Sequence, residues 1–312
     1  MRYVVLGTGG VGGFFGGRLA SAGEDVWFVS GGKHLEAMKE RGLRVNSTVG
    51  NFSIPAGKMT DDIASVEAAD VVLFCVKSYD TELAARRLSE VLNKDSLVIS
   101  LQNGVDNEDK IRNQIRSGTV YGGAAYISSR ITAPGEITEV GGFQRIVFGP
   151  MGGRSNPHAA EVHERLLAAG VKSQLQDDVT KEIWRKFIFI ASMGSLTAMS
   201  RLTHGEILAN PRTLSLMFDA MREITAIAQK LGIDIEAVDE QRVLEGLKRF
   251  SPDTRSSMYF DLAAGKPMEI EALNGTVVRF GEQLKVPTPI HRVIYSILLP
   301  YHLKHTQQQS PK

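Results

Sequence analysis

The sequence predicts an α/β fold in which an N-terminal, doubly wound sheet precedes an all-helical C-terminal domain. Apolar runs such as residues 71–76 alternate with helical patterns in the first half, as strands buried on both faces of a parallel sheet require. The pattern changes near Asp177, after which long helical periodicities dominate. We therefore expect one domain over residues 1–177 and a second over residues 178–312.

Local patterns define each element of the first domain. Strand-like runs occupy residues 3–6, 26–29, 71–76, 97–101 and 120–125, and residues 171–176 predict a last edge strand. Helical patterns lie between them at residues 12–20, 34–41, 81–92 and 108–116, and again at residues 157–169. Residues 137–148, interrupted by Gly141 and Gly142, predict a β-hairpin.

The second domain is predicted to be helical throughout. Its helices are expected at residues 180–199, 211–231, 235–248, 256–264, 270–284 and 290–303. His204, Gly205 and Glu206 are interpreted as a turn that links helices. No His/Cys/Asp cluster in the sequence has the spacing of metal ligands, so a metal-dependent dehydrogenase lacks support.

The turn after the first predicted strand carries the most informative pattern. It reads G-x-G-x-x-G between a strand and a small-residue helix, and a second strand follows, which is the context of a dinucleotide-binding Rossmann domain. The helix N-terminus supplies N–H groups for the phosphates. The alternative is a glycine-rich turn that binds nothing. The predicted cofactor-binding residues here are Gly7, Thr8, Gly9, Gly10, Val11 and Gly12.

The end of the second predicted strand favours NADP over NAD. An NAD site usually has a carboxylate there for the ribose 2′-hydroxyl, whereas this chain has Ser30, Gly31, Gly32, Lys33 and His34. Ser30, Lys33 and the glycine amides could hold a 2′-phosphate. The alternative is that Lys33 and His34 form a solvated helix start.

Polar residues also follow two further strands. Lys77 comes just past residues 71–76, and Asn103 just past residues 97–101. The carboxyl ends of parallel strands border the cofactor crevice in this architecture, so both are candidate cofactor-binding residues. The alternatives are an ordinary loop lysine and an Asn-Gly turn.

The bulk properties exclude several classes. A net charge of +1 gives no support for nucleic acid or an anionic membrane surface as partner, and no apolar stretch is long enough to span a membrane. We see no signal peptide and expect a cytoplasmic protein. The single cysteine, Cys75, is expected to be a buried, inert thiol. A homodimer through the apolar helical domain is a further expectation.

These motifs, taken in order, resemble the ketopantoate reductase (2-dehydropantoate 2-reductase) family. Besides the glycine turn and the two strand ends, the resemblance rests on motifs in the second domain: Trp184-Arg185-Lys186-Phe187, Ser256-Ser257-Met258, Asp261, Glu269-Ile270-Glu271 and Asn274-Gly275. It implies an NADPH-dependent reductase of a 2-oxo acid. It also implies that Lys186 and Glu269 are catalytic, that Asn103 and Ser257 bind substrate, and that Lys77 lies near the cofactor.

The sequence departs from the family pattern at the residues that would recognise the substrate hydroxyl. Ile190 and Gly194 stand where well-studied members carry asparagines, and Gly31 replaces an arginine often found after the second strand. Reduction of ketopantoate to pantoate, toward pantothenate and coenzyme A, is the predicted reaction. The alternatives are another branched 2-oxo acid as substrate and a non-catalytic NADP-binding regulator.

Overall fold

A computed structural model describes residues 1–141, 143–152 and 155–309. The chain forms two compact units. The first comprises residues 1–102 and 107–180, and the second comprises residues 103–106 and those from Lys181 onward. The four-residue segment 103–106 therefore packs with the helical unit although the residues on both sides of it belong to the first unit.

The first unit is built on a sheet of eight strands with helices between them. Its strands and those of a smaller sheet are, in chain order, β1 (Arg2–Leu6), β2 (Asp25–Val29), β3 (Leu43–Asn46), β4 (Phe52–Ile54), β5 (Met59–Thr60), β6 (Ala69–Phe74), β7 (Leu92–Ser100), β8 (Thr119–Tyr126), β9 (Ser129–Ala133), β10 (Glu136–Glu139), β11 (Arg145–Gly149) and β12 (Lys172–Leu175). Its helices are α1 (Gly10–Ser21), α2 (Gly32–Arg41), α3 (Thr81–Leu88), α4 (Asn107–Arg112) and α5 (Ala159–Ala168).

The large sheet has the order β12-β11-β8-β7-β6-β1-β2-β5 and confirms the predicted doubly wound fold. The six neighbouring strands β8, β7, β6, β1, β2 and β5 are parallel. The strand β11 pairs antiparallel with β8 and parallel with β12. The central strands are buried on both faces, which explains their unbroken apolar sequences. The first strand lies between β2 and β6, so the strand order reverses there, and a crevice typical of nucleotide-binding sheets lies at such a point.

A second, four-stranded sheet of order β4-β3-β10-β9 corrects the predicted hairpin over residues 137–148. In the structure β10 belongs to the small sheet, whereas β11 pairs in the large sheet. The two strands are therefore not partners. Of the two glycines expected in that turn, Gly142 lies outside the described residues.

The small sheet explains why α1 is rich in glycine. A Cβ on Gly16 would lie 2.3 Å from the Val5 side chain of the large sheet, and one on Gly13 would lie 2.1 Å from the Ile137 side chain of the small sheet. On Gly17 a Cβ would lie 2.7 Å from the ring of Phe52 in β4. The helix thus packs closely on both sheets, which requires glycine on two of its faces.

The second unit is helical, as predicted. Its helices are α6 (Thr180–Ser200), α7 (His204–Ala209), α8 (Pro211–Lys230), α9 (Ala237–Leu247), α10 (Ser257–Ala263), α11 (Thr276–Leu284) and α12 (Pro289–Gln309). A π-helical turn, Glu271–Gly275, leads directly into α11. The segment that begins at His204 is a short helix, α7, instead of the expected turn, because Thr203 and Glu206 form a capping box at its start.

Candidate active site

The glycine motif that joins β1 to α1 leaves no room for a Cβ at Gly7, Gly10 and Gly12, and one on Gly10 would lie 2.4 Å from the carbonyl oxygen of Ser129. Gly7 has a φ of +97°, and a Cβ there would lie 2.6 Å from the backbone nitrogen of Val76. A Cβ on Gly12 would lie 2.3 Å from the carbonyl oxygen of Gly7. Close packing of backbone on backbone therefore fixes the shape of the turn.

Gly9 borders open space at the N-terminus of α1. Apart from Gly9 itself and its chain neighbours, no atom of the described residues lies within 4 Å of a Cβ placed on Gly9, and the start of the helix has no side-chain cap. The helix begins at Gly10, so Gly10, Val11 and Gly12 carry first-turn N–H groups at the positive end of a 12-residue helix. This combination of space and donors fits the pyrophosphate of a dinucleotide.

Thr8 points into the protein and not toward the open space at Gly9. It is buried, and both its backbone nitrogen and its Oγ1 donate to the carbonyl oxygen of Val29, at 3.2 Å each. Gly7 donates to the same oxygen at 3.0 Å. Thr8 therefore fastens the turn to the end of β2, and its polar groups are directed at protein atoms.

The segment after β2 is open and has no carboxylate from Ser30 to His34. Ser30 is half-buried and donates its backbone N–H to Thr60 at 3.0 Å. Beyond the adjacent backbone, no atom in the described part of the chain lies within 4 Å of a Cβ on Gly31 or Gly32, and Lys33 is exposed in the first turn of α2. The positive end of α2 and the Lys33 ammonium therefore border the same open segment.

His34 is buried, so the notion of a solvated helix start does not hold for this residue. Its Nδ1 accepts a hydrogen bond of 3.0 Å from the backbone nitrogen of Gly135, and burial lowers the pKa of its ring. A neutral His34 therefore ties α2 to the turn between β9 and β10.

Lys77 follows β6 and is half-buried at the start of a short 3-10 turn, Ser78–Asp80. Cys75, two residues earlier, is also half-buried, whereas the sequence predicted a buried thiol. The difference arises because β6 ends at Phe74, and Cys75 lies past the strand beside Gly7 and Gly12.

In the second unit, one face of α6 carries Lys186, Ile190 and Gly194, which are spaced four residues apart. Lys186 is half-buried. Its neighbour Arg185 is turned toward α9, where its Nε contacts the buried carboxylate of Asp239 at 2.7 Å. The basic pair Arg185-Lys186 is therefore not a solvated surface pair, because one member is committed to an ion pair inside the unit.

Asn103 and Glu269 lie side by side within the second unit. The Nδ2 atom of Asn103 is 3.5 Å from Oε2 of Glu269, although the two residues are 166 positions apart in the chain. Glu269 is only 8% exposed. A buried carboxylate close to an amide is an arrangement that can orient a polar ligand, because burial strengthens its hydrogen bonds.

Ser257 is exposed at the first position of α10, and its neighbour Ser256 caps that helix. The Oγ of Ser256 accepts from Tyr259 N and donates to the carbonyl oxygen of Gly194 at 2.7 Å. Thr197 donates to the same Ser256 Oγ at 2.7 Å. The start of α10 is thus fixed to the Gly194 end of the α6 face.

Gly194 leaves room on this face. The nearest atom to a Cβ placed on it, Ser256 Cβ, is 3.8 Å away, which is ordinary contact distance. The hydroxyls of Ser256 and Thr197 are occupied by bonds to protein atoms. The face beyond Lys186 therefore presents an apolar side chain at Ile190 and space at Gly194.

Comparison with known proteins identifies the family. The family model described as ketopantoate reductase PanE/ApbA matches residues 3–153, and the model of its C-terminal domain matches residues 178–302. This chain belongs to the ketopantoate reductase family. As a member of that family it is an oxidoreductase.

Curated relatives of this ketopantoate reductase family member cover nearly the whole chain. The 2-dehydropantoate 2-reductase of Archaeoglobus fulgidus is 32% identical over 297 residues, which is 95% of this chain and 96% of the relative. An uncharacterized oxidoreductase of Bacillus subtilis, YkpB, is 28% identical, over 96% of this chain and 99% of the relative.

Solved structures of the family share the fold. A PanE/ApbA family ketopantoate reductase from Ralstonia eutropha has a TM-score of 0.89 at 31% identity. The match covers 98% of this chain and 100% of the solved chain. D-mandelate dehydrogenase, solved with NADH and anilino(oxo)acetate, also has a TM-score of 0.89, with the same coverage, but at 21% identity. At that identity the likeness shows the fold alone.

In this ketopantoate reductase family member, Asn274 of the Asn274-Gly275 motif has a structural role that the sequence pattern did not indicate. Asn274 is fully buried in the π-helical turn, and its Nδ2 donates to the carbonyl oxygen of Ala191 at 3.3 Å and to Ser195 Oγ at 3.1 Å. It therefore fastens the segment after Glu269 to α6, the helix of Lys186. An asparagine followed by a glycine was the only sequence signal for it.

Two absences concern the described residues only. Among them, no group of three or more His, Cys, Asp or Glu side chains could hold a metal ion. Within the same residues, no helix is both long and apolar enough to cross a membrane.

Proposed function

We propose that this protein is an NADPH-dependent 2-oxo acid reductase, and that its reaction is the reduction of 2-dehydropantoate to pantoate. The observation that carries the proposal is the pairing of Asn103 with the buried Glu269, in the same unit as the Lys186 face. Family membership supports the reaction type, and curated 2-dehydropantoate 2-reductases cover the chain nearly end to end.

The proposed chemistry divides hydride and proton between cofactor and protein. The reduced nicotinamide, when bound, supplies the hydride to the C2 carbon of the oxo acid. The Lys186 ammonium donates a proton to the carbonyl oxygen and stabilises the negative charge that develops there. We assign to Glu269 the role of assisting this lysine, to Asn103 the orientation of substrate and cofactor, and to Ser257 the binding of the substrate carboxylate.

The cofactor is proposed to be NADPH, held by the glycine turn and the segment after β2. The open space at Gly9 and the uncapped start of α1 suit a pyrophosphate. The absence of a carboxylate from Ser30 to His34, together with the exposed Lys33, favours a 2′-phosphate over a free 2′-hydroxyl. Ser30, Lys33 and Lys77 complete the proposed cofactor set.

A second candidate substrate is a branched 2-oxo acid without a hydroxyl group. Ile190 is apolar, Gly194 leaves space, and the nearby hydroxyls of Ser256 and Thr197 bond to protein atoms. A site that hydrogen-bonds a substrate hydroxyl rejects the analogue without that hydroxyl about 10⁴-fold or more. An apolar site discriminates far less between the two compounds.

Assembly and location stay predictions. A ketopantoate reductase of Staphylococcus aureus is described as dimeric and has a TM-score of 0.82 at 18% identity, which shows the fold alone. A homodimer and a cytoplasmic location are therefore proposed from the sequence only.

A substrate panel tests the proposal. Wild-type protein is mixed with NADPH and either 2-dehydropantoate, trimethylpyruvate, which lacks only the hydroxyl group, or a straight-chain 2-oxo acid. We expect turnover of at least one branched 2-oxo acid, with 2-dehydropantoate the best substrate. Turnover of trimethylpyruvate but not 2-dehydropantoate would select the second candidate. Binding of NADPH with no oxo acid reduced would contradict an enzyme and favour a regulator.

A further inference from the structure

The segment 103–106 belongs to the second unit, and its two end residues, Asn103 and Asp106, both contact residues of that unit. It contains Gly104, whose φ of +125° belongs to the left-handed region that glycine tolerates. A short segment with such a glycine is not rigid by itself. The orientation of Asn103 at one end therefore depends on what holds the other end.

Both ends of the segment contact the same stretch of the helical unit. At the first end, Asn103 Nδ2 lies 3.5 Å from Oε2 of Glu269. At the second end, Asp106 Oδ2 accepts from Thr276 Oγ1 at 3.4 Å and lies 3.8 Å from a guanidinium nitrogen of Arg279. The distance between Asn103 and Glu269 is already at the limit of a hydrogen bond, so a small displacement would break it.

Arg279 is itself held in place from several sides. Its guanidinium donates to Thr276 Oγ1 at 2.8 Å, to the Glu271 carbonyl oxygen at 3.1 Å and to the Glu271 carboxylate at 3.0 Å. The other carboxylate oxygen of Glu271 accepts from the Tyr295 hydroxyl at 2.7 Å. Burial and this bond raise the pKa of Tyr295 to about 12, so the hydroxyl remains a donor across the range of an enzyme assay.

We propose that Asp106 and Arg279 are positioning residues that hold Asn103 against Glu269. Together with Thr276 they form a latch, the Asp106 latch, which fixes the far end of the segment and so orients the Asn103 amide. The inference rests on the proposed function, because Asn103 and Glu269 matter to turnover only if that site reduces an oxo acid. Arg279 is 45% exposed, and ion pairs at such exposure contribute little to folding.

The latch should therefore affect turnover more than stability. A misplacement of a positioning group by about 1 Å can reduce turnover up to about 100-fold. Asp106→Ala should lower kcat about tenfold or more while leaving the melting temperature near that of the wild type. Arg279→Ala should do the same, and Arg279→Lys, which keeps the charge, should recover part of the loss.

A double-mutant cycle distinguishes positioning from a separate structural role. Asp106→Ala is measured in the wild type and in an Asn103→Ala background, with NADPH and the best 2-oxo acid of the panel. If Asp106 acts through Asn103, its loss costs less than about twofold in the second background. Equal fold losses in both backgrounds would overturn the proposal. Arg292→Ala, which breaks an exposed ion pair with Glu282, is the matched control and should leave kcat unchanged.

A second readout needs no activity. Hydrogen exchange of the amides from Asn103 to Asp106 should accelerate in Asp106→Ala and Arg279→Ala but not in Arg292→Ala. Unchanged exchange in both latch variants would overturn the latch even in a protein that reduces no oxo acid. Faster exchange in a protein without turnover would support the latch and contradict the proposed function instead.

Discussion

The glycine turn of the first unit is a site defined by backbone, whereas the Lys186 face of the second unit is a site defined by side chains. At the turn the backbone defines the site: Gly7 and Gly12 have no room for a Cβ, and the donors are N–H groups of α1. On the face of α6 the side chains define the site. Lys186 presents an ammonium group, Ile190 presents an apolar side chain, and Gly194 leaves space. A site built from backbone therefore tolerates little change in sequence, whereas a site built from side chains can change specificity within one fold.

The largest expected effect tests the side-chain site. Lys186→Ala should lower kcat by about 10³-fold, since a positioned general acid contributes about 10² to 10⁴-fold. NADPH binding, measured by fluorescence titration, should stay within about twofold of the wild type, because the proposed cofactor site is elsewhere. A matched control is Lys181→Ala, which removes another lysine of α6 that pairs with Asp234. Equal losses in both variants would argue against a specific role for Lys186.

The next largest effects concern the glycine turn, where one alanine variant should lower stability and another should lower NADPH affinity. Gly12→Ala places a Cβ 2.3 Å from a backbone oxygen and should destabilise folding by about 1–3 kcal/mol or more. Gly9→Ala meets no atom within 4 Å and should change the unfolding free energy by less than about 0.5 kcal/mol.

Gly9→Ala should nevertheless weaken NADPH binding by about tenfold or more, since the methyl group of the new alanine occupies the space assigned to the pyrophosphate. Thermal unfolding and NADPH titration of both proteins check the pair. If Gly9→Ala binds NADPH as the wild type does, the pyrophosphate does not lie beside Gly9.

A smaller effect concerns specificity on the α6 face. Ile190→Asn combined with Gly194→Asn should raise the ratio of kcat/KM for 2-dehydropantoate over trimethylpyruvate by about tenfold, because each new amide can pair with the substrate hydroxyl. Ile190→Leu is the matched apolar control and should leave the ratio unchanged. An unchanged ratio in the double variant would place hydroxyl recognition on other residues.

An effect of similar size concerns the cofactor phosphate. Lys33→Glu should reduce the preference for NADPH over NADH by about tenfold, because a carboxylate repels a 2′-phosphate. Lys94→Glu makes the same charge change at an exposed site in β7 and is the control. Equal changes in both variants would indicate a long-range charge effect instead of a contact at Lys33.

The two regions also differ in how far the sequence could predict them. The strand predicted at residues 71–76 is observed as Ala69–Phe74, and the glycine turn lies where expected, because short-range patterns encode both. Strands β3, β4 and β9 of the small sheet escaped prediction, and β10 was assigned to a hairpin, since β3 and β4 are short and β3 pairs with β10 about ninety positions later.

The Asn103–Glu269 pair shows the same limit at the level of the site. Nothing in the local sequence relates two residues 166 positions apart, and only the family resemblance indicated both. The Asp106 latch was missed altogether, because an aspartate after an Asn-Gly turn and an arginine on a helix are each common surface features. Their relation exists only through the fold.

The most direct measurement follows the hydride itself. The wild-type protein is incubated with 2-dehydropantoate and NADPH that carries deuterium at the transferable position of the nicotinamide, and the product is analysed by mass spectrometry and NMR. We expect pantoate with deuterium on C2, formed about 10³-fold more slowly by Lys186→Ala under the same conditions. Unlabelled pantoate, or no reduction of any 2-oxo acid by a protein that binds NADPH, would contradict this expectation.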